Sequence, residues 1–336
     1  MQLKPINEQV AVIVGASSGI GRETARQFAQ GGAKVVVAAR TQSALDSLVD
    51  EIKTAGGEAV AVVCDVSEFD QVKEVAQQTL QVYGRMDTWV HAAAIGMFAP
   101  FAEISPEEFK RVMDVNLMGQ AHGLWAALPH LKHGGSFISV SSVEGRRALP
   151  LQSPYSASKH ALEGLLESVR VELAHSGSPV NLTSILPATI NTPFYNKART
   201  KLGVKPTGVP PYYQPSVVAE AILHAAQHPH RELIVGDVGR VLDGMQKLSP
   251  SLVDSLLVAI GFVGQRTNEP KPESVPDGLF EPIEGYDRAE GDYGNLTIPS
   301  VLEVLDRQPI AKALTGAALG AVALFLVARA ARSIDA

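Results

Sequence analysis

Short uninterrupted apolar runs alternate with amphipathic stretches over the first two thirds of the chain. Val10–Val14, Lys34–Ala38, Glu58–Cys64, Thr88–His91, Ser136–Val140, Val180–Leu186 and Glu232–Val235 are predicted as strands. Between them apolar positions recur at helical spacing, as Leu45, Leu48, Val49 and Ile52 do. Helices are predicted over about Ile20–Gln30, Glu68–Val82, Pro106–Leu131, Tyr155–His175 and Ser216–Gln227. Ser105 with Glu108 three residues on marks the start of the long one at Pro106. Strands that are apolar throughout are buried on both faces, which is what a parallel sheet covered by helices requires. Right-handed crossovers make this an α/β, doubly wound fold of the Rossmann kind.

The pattern changes after about Gly244. Ser249–Val263 predicts an apolar helix with Pro250 in its first turn. Gln265–Asn295 is rich in Pro, Gly, Glu and Asp, lacks apolar periodicity, and reads as an extended or disordered linker. Ile310–Ala330 is the most hydrophobic stretch. The chain is thus divided into an α/β domain over 1–245, an apolar helix in 246–264, an acidic linker over 265–300 and a hydrophobic C-terminal helix over 301–336.

Composition narrows the function classes. Of 336 residues, 46% are hydrophobic and 19% charged, which supplies a core and excludes global disorder. The formal charge of −6 argues against a nucleic-acid binder, which needs a basic face. Most of that charge is local: Gln265–Asn295 holds eight acids and three bases. A single cysteine, Cys64, excludes an intrachain disulfide and cysteine zinc sites, and is expected to be a small core residue. The closest histidine pairs, His130 with His133 and His228 with His230, lack clustered acids, so no metal is expected.

Gly15-Ala16-Ser17-Ser18-Gly19-Ile20-Gly21 lies between the first strand and the first helix. Glycines there let backbone approach a pyrophosphate, at which the helix N-terminus is aimed. Outside such a context this would be only a tight turn. The second strand ends Ala38-Ala39-Arg40-Thr41, with no carboxylate to bind the ribose hydroxyls of NAD. Arg40 instead offers a planar donor fork to a 2′-phosphate, with Arg22 as a helper, so NADP(H) is favoured over NAD(H). Arg40 could otherwise be a solvated strand-end charge.

Tyr155 and Lys159 are four residues apart at the start of a helix, which puts them on one face. A phenol ionises near pH ~10, and a neighbouring ammonium lowers that value, making acid–base work feasible. Upstream, Ser141 and Ser142 end a strand at the sheet edge where such folds bind ligands.

Taken together, GxxxGxG, the serine strand and YxxxK resemble the short-chain dehydrogenase/reductase (SDR) family over roughly residues 9–240. The resemblance implies a catalytic tetrad of Asn116, Ser142, Tyr155 and Lys159. In that family the asparagine accompanies a helix irregularity and a water that relays protons towards the lysine. Ser142 precedes Tyr155 by the family's spacing, with Ser141 as the fallback. The resemblance also implies a cofactor site made of Gly15, Ser17, Ser18, Gly19, Ile20, Gly21, Arg40, Asp65, Val66, Ala92, Ala93, Tyr155, Lys159, Pro187 and Thr189. Asp65 matches an acid that contacts adenine, although by itself it reads as a helix N-cap. Three positions depart from the family: Val14 stands for Thr, His91-Ala92-Ala93-Ala94 for Asn-Asn-Ala-Gly, and Pro187-Ala188 for Pro-Gly. Val14 and Ala92 read as a joint replacement of a polar pair by apolar groups.

The function expected is hydride transfer between NADP(H) and a small-molecule carbonyl or alcohol. The aromatics of Asn191–Gln214 (Phe194, Tyr195, Tyr212, Tyr213) suggest an apolar substrate or a structural cluster. A non-enzymatic dinucleotide-binding scaffold or redox sensor at a membrane is the alternative; epimerisation or dehydration on the same fold is a third reading. The family resemblance implies a homo-oligomer. Met1–Pro5 shows no secretory-signal pattern. Ala313–Ala328 is uncharged, and its 16 residues reach about 24 Å as a helix, short of a ~30 Å hydrocarbon core unless flanking Lys312 and Arg329 snorkel. Membrane anchoring by this segment, with a cytoplasmic catalytic domain, is expected.

Overall fold

The computed structural model describes residues 3–300. In chain order the strands are β1 (Val10–Val14), β2 (Lys34–Ala39), β3 (Glu58–Val63), β4 (Thr88–His91), β5 (Met97–Phe98), β6 (Gly135–Val140), β7 (Val180–Pro187), β8 (Arg199–Thr200), β9 (Val204–Pro206), β10 (Glu232–Val235) and β11 (Arg266–Pro270). The helices are α1 (Gly19–Gln30), α2 (Gln42–Thr54), α3 (Phe69–Tyr83), α4 (Pro106–Met113), α5 (Gly119–Leu131), α6 (Ser153–His175), α7 (Phe194–Lys197), α8 (Pro215–Ala225), α9 (Asp237–Leu248) and α10 (Pro250–Ile260).

Seven strands form one parallel sheet in the order β10-β7-β6-β4-β1-β2-β3. Alternation along β1 supplies both cores. Ala11 and Ile13 join Phe28, Val35 and Val37 on one face; Val12 and Val14 join Val36, Ala38 and Trp89 on the other. Every β1 side chain is buried, which explains a strand apolar throughout. Strand order reverses between β1 and β4, so the crevice beyond their carboxyl ends is the switch point where such sheets bind ligands.

The long helix expected over Pro106–Leu131 is interrupted. Its start carries the capping box: Ser105 Oγ accepts from Glu108 N, and Glu108 accepts from Ser105 N. A π turn, Asp114–Met118, then separates α4 from α5. Such widened turns are frequent at functional sites.

The C-terminal third differs more. The apolar helix expected in 246–264 is α10, with Pro250 in its first turn. The expectation of a linker over 265–300 is corrected, because residues up to Ile298 belong to the same compact unit as the sheet. β11 pairs antiparallel with β9, and the chain then runs back across the carboxyl edge of the sheet as a strap. Single side chains and isolated backbone hydrogen bonds hold it, which is why no periodicity announced it. Lys271 donates to the carbonyls of Asn196 and Ala198. Leu279 is buried against Met97, Ala99 and Val112, and Tyr293 stacks on Tyr212 at 4.6 Å. The acids that suggested solvation are partly paired: Asp277 with Arg199, and Asp292 with Lys205. Among the described residues, no helix is long and apolar enough to cross a membrane. The anchor expected over 301–336 lies outside the described residues.

Candidate active site

At the switch point the glycine loop touches the chain leaving β4. Gly15 has φ +88°, and a Cβ there would lie 2.4 Å from Ala93 N; one on Gly21 would lie 2.3 Å from Gly15 O. Both positions therefore demand glycine. Ala92 N donates to Val14 O at 2.8 Å, closing the loop onto the sheet. Ser18 occupies the N-cap position of α1 without capping it. Its Oγ accepts from Lys197 Nζ at 2.5 Å instead, and Gly19 N donates to the strap carbonyl of Arg288 at 2.9 Å.

One cavity of about 390 Å³ begins at this loop. Gly15, Ser17, Ser18, Gly19, Ile20, Gly21, Arg40, Asp65, Val66, Ala92, Ala93, Pro187 and Thr189 line it, together with Ser142, Tyr155 and Lys159. Asn116 stands behind it. Backbone cradle, helix N-terminus and nearby cations fit a dinucleotide.

Arg40 is not a solvated charge. Its Nη1 donates to Phe280 O at 2.8 Å and its Nη2 to Gly278 O at 2.9 Å, so the strap is threaded over it. Three of its N–H groups remain for other partners. Arg22, expected to assist, is buried and turned away; it donates to Ala44 O, Ser47 Oγ and Glu51, tying α1 to α2. Asp65 pairs with Arg111 at 2.8 Å and accepts from Ser67 N and Oγ. Burial pushes its carboxyl up, but Arg111 and Ser67 outweigh that and hold it below the usual range. Cys64 is buried, and burial with Asp65 beside it pushes its thiol up to about 12. The thiolate reactive at neutral pH is thus suppressed.

At the other end of the cavity α6 presents Tyr155 and Lys159 on one face. Lys159 is buried, donates to Val140 O at 3.0 Å, and holds its ammonium 5.5 Å from the centre of the Tyr155 ring. Burial lowers its pKa to about 8, opposed by Glu163 and Glu144. Burial and Glu144 push the Tyr155 phenol above its usual value, while the Ser142 hydroxyl acts the other way. Ser142 lies two residues past the end of β6, and its Oγ accepts from Glu144 N at 3.1 Å. Ser141 N donates to Ile185 O, while its buried hydroxyl has no hydrogen-bond partner among the described residues. Asn116 lies in the π turn. Its Oδ1 accepts from Ile95 N, and its Nδ2 donates to Ile95 O and Ser158 Oγ, which pins the chain after β4 to α6.

The aromatics of residues 191–214, the lid segment along the cavity, divide. Phe194 stands 5.5 Å from the Tyr155 ring, at the cavity. Tyr212 and Tyr213 are fully buried and structural. Thr189 gives its hydroxyl to Val209 O at 2.7 Å.

Sequence reasoning missed other parts of the cavity wall, among them Glu144, Lys197 and the strap. Glu144, two residues past Ser142, accepts from Ser156 Oγ at 2.6 Å. Burial pushes it up to about 7, against Ser156 and Lys159. Lys197 and the strap complete the wall. Only Glu144 had a local signal, its position beside the serine strand.

A family model described as short chain dehydrogenase matches residues 9–203. The chain is 38% identical over 285 residues to the uncharacterized oxidoreductase YxnA of Bacillus subtilis (strain 168), covering 84% of this chain and 80% of that one. A short chain dehydrogenase/reductase from Burkholderia phymatum, solved in complex with NAD, is similar with TM-score 0.67 and 25% identity, over 75% of this chain and 97% of that one. An alcohol dehydrogenase from the archaeon Thermococcus sibiricus, complexed with 5-hydroxy-NADP, is similar with TM-score 0.60 and 30% identity, over 68% of this chain and 95% of that one.

Proposed function

Because the chain belongs to the short-chain dehydrogenase family, we propose that it is an NADP(H)-dependent carbonyl reductase or alcohol dehydrogenase working through Asn116, Ser142, Tyr155 and Lys159. Membership makes it an NAD(P)-dependent oxidoreductase acting on C=O or CH–OH groups. The finer reading rests above all on one observation: Lys159, buried beside Tyr155, shares a cavity with the glycine loop.

When bound, the nicotinamide supplies or accepts the hydride. Ser142 orients the substrate oxygen, and Tyr155 donates a proton to it in the reducing direction. A phenol held above its usual pKa is protonated at neutral pH, as an acid must be. The Lys159 ammonium favours the phenolate left behind. Asn116 positions the chain after β4 and α6 around the pair, and a water near it returns the proton through Lys159. In oxidation the steps reverse. A pure dinucleotide scaffold has no use for a tyrosine facing the cavity with a buried lysine beside it.

Arg40 at the end of β2, with no carboxylate there, supports NADP(H). The Thermococcus relative was solved with an NADP derivative and the Burkholderia one with NAD. Ile95, Leu149, Phe194 and Val209 at the cavity support an apolar carbonyl or alcohol. The family also supports a homo-oligomer, which sedimentation would test. The reading is tested by screening carbonyls and alcohols with NADPH and NADH, alongside Tyr155→Phe. Loss of turnover with cofactor binding intact is expected; full turnover by Tyr155→Phe would overturn the assignment.

A further inference from the structure

We propose that Lys197, on α7, is a second cation for the cofactor's 2′-phosphate, reaching it from 179 residues beyond Ser18 of the glycine loop. This rests on the NADP(H) reading and adds to it a residue no motif marks.

Lys197 lines the cofactor cavity, and its Nζ donates to Ser18 Oγ at 2.5 Å. It makes no ion pair among the described residues. The charge that most affects it is Arg40, of like sign, and burial together with Arg40 lowers its pKa to about 8. Partly desolvated and beside another cation, this ammonium is electrostatically unfavourable as it stands. An anion between the two relieves both costs.

Arg40 fixes which anion. It stands at the carboxyl end of β2, where the adenosine ribose is read, whereas the pyrophosphate belongs to the N–H groups at the start of α1. Arg40 alone is a weakened phosphate ligand here. Two of its donors hold Gly278 O and Phe280 O, and Glu284 and Asp287 of the strap line the same cavity. A dianion next to those carboxylates needs a second positive charge. Lys197 supplies it as a point charge, and Ser17, Ser18, Thr41 and Ser43 furnish hydroxyls around it.

The test uses the full chain with Lys197→Met, which keeps the aliphatic stem, and Lys197→Arg, which keeps the charge. Affinities for NADPH, NADH, 2′,5′-ADP and 5′-AMP are measured by calorimetry, so no substrate need be known. In Lys197→Met the NADPH-over-NADH affinity ratio, and that of 2′,5′-ADP over 5′-AMP, should fall roughly ten- to a hundred-fold, the range of a charge-assisted hydrogen bond. Lys197→Arg should restore most of it, and thermal melts establish that both variants fold. Equal weakening of NADPH and NADH would assign Lys197 to the pyrophosphate or to holding the lid, and overturn the proposal. A wild-type preference for NADPH that survives Lys197→Met unchanged would overturn it too, leaving the NADP(H) reading standing. A wild-type preference for NADH would overturn both.

Discussion

Replacing Glu144 with Gln should make the protein more stable in alkali and leave it unchanged in acid. The carboxyl is buried beside Lys159 and Tyr155, and Oε2 accepts from Ser156 Oγ. Burial is the largest influence on it; Ser156 and Lys159 only partly offset this, and its pKa climbs from 4.5 to about 7. At 1.36 kcal/mol for each pH unit, ionising it in the folded state costs on the order of 3 kcal/mol more than in the unfolded chain. For an acid whose folded pKa is raised, the penalty is absent below about 4.5, grows through the interval, and is complete above about 7. Gln keeps the shape and still accepts from Ser156, but never ionises. Urea unfolding of both proteins at pH 5 and pH 8 measures the effect, since the titrations of groups that do not feel Glu144 cancel in the difference. The variant should gain up to about 3 kcal/mol at pH 8 and little at pH 5. An equal difference at both pH values, or a loss at pH 8, would refute the desolvation argument. The same substitution removes the charge that helps hold the Tyr155 phenol high, so that phenol should ionise at lower pH in Glu144→Gln.

Leu279→Ala should empty the pocket among Met97, Ala99 and Val112, costing about 2–5 kcal/mol locally, so amide exchange across 278–293 should rise and NADPH should dissociate faster. Unchanged exchange would mean that Leu279 is not the anchor. Gly21→Ala drives a Cβ to 2.3 Å from Gly15 O, and dinucleotide binding measured by fluorescence should be lost; retained affinity would show the loop can rearrange. Val14→Thr places a hydroxyl in the apolar cluster of Val12, Val36, Ala38 and Trp89, and should lower stability by about 1–3 kcal/mol in a melt. A gain would contradict the joint replacement of Val14 and Ala92.

The sheet strands were legible because most are short, largely apolar runs, and the central ones, β1, β4 and β6, are buried along their whole length. Ser142, Tyr155 and Lys159 were legible by spacing, since α6 fixes the tyrosine and lysine on one face and β6 delivers the serine to the same edge. Arg40 was found, but not its engagement with Gly278 and Phe280, 238 and 240 residues further on. No local pattern encodes such a contact. Arg22 was misassigned because the loop-adjacent position says nothing about the direction of a side chain that α2 can claim. The strap escaped for a related reason: Lys271, Leu279 and Tyr293 are isolated anchors in a composition that elsewhere means solvation. Lys197 left no trace, as a lysine in a lid is unremarkable until Ser18 and Arg40 are seen beside it.

The strap also sets the path by which tension applied to the end of the chain would travel. A pull at Ile298 meets the hydrogen bond from Ile298 N to Tyr212 O first, then the Tyr293–Tyr212 stack, and then Asp292, gripped by Lys205 and Asn196. Only when those give way does it reach Arg288, whose carbonyl holds Gly19 at the head of α1, and after it the carbonyls fastened to Arg40. The contacts are arranged in series and yield one at a time, as a zipper does. Tension at Ile298 therefore runs along the cavity wall, and the Arg40 end of that wall is the last of these contacts to be let go.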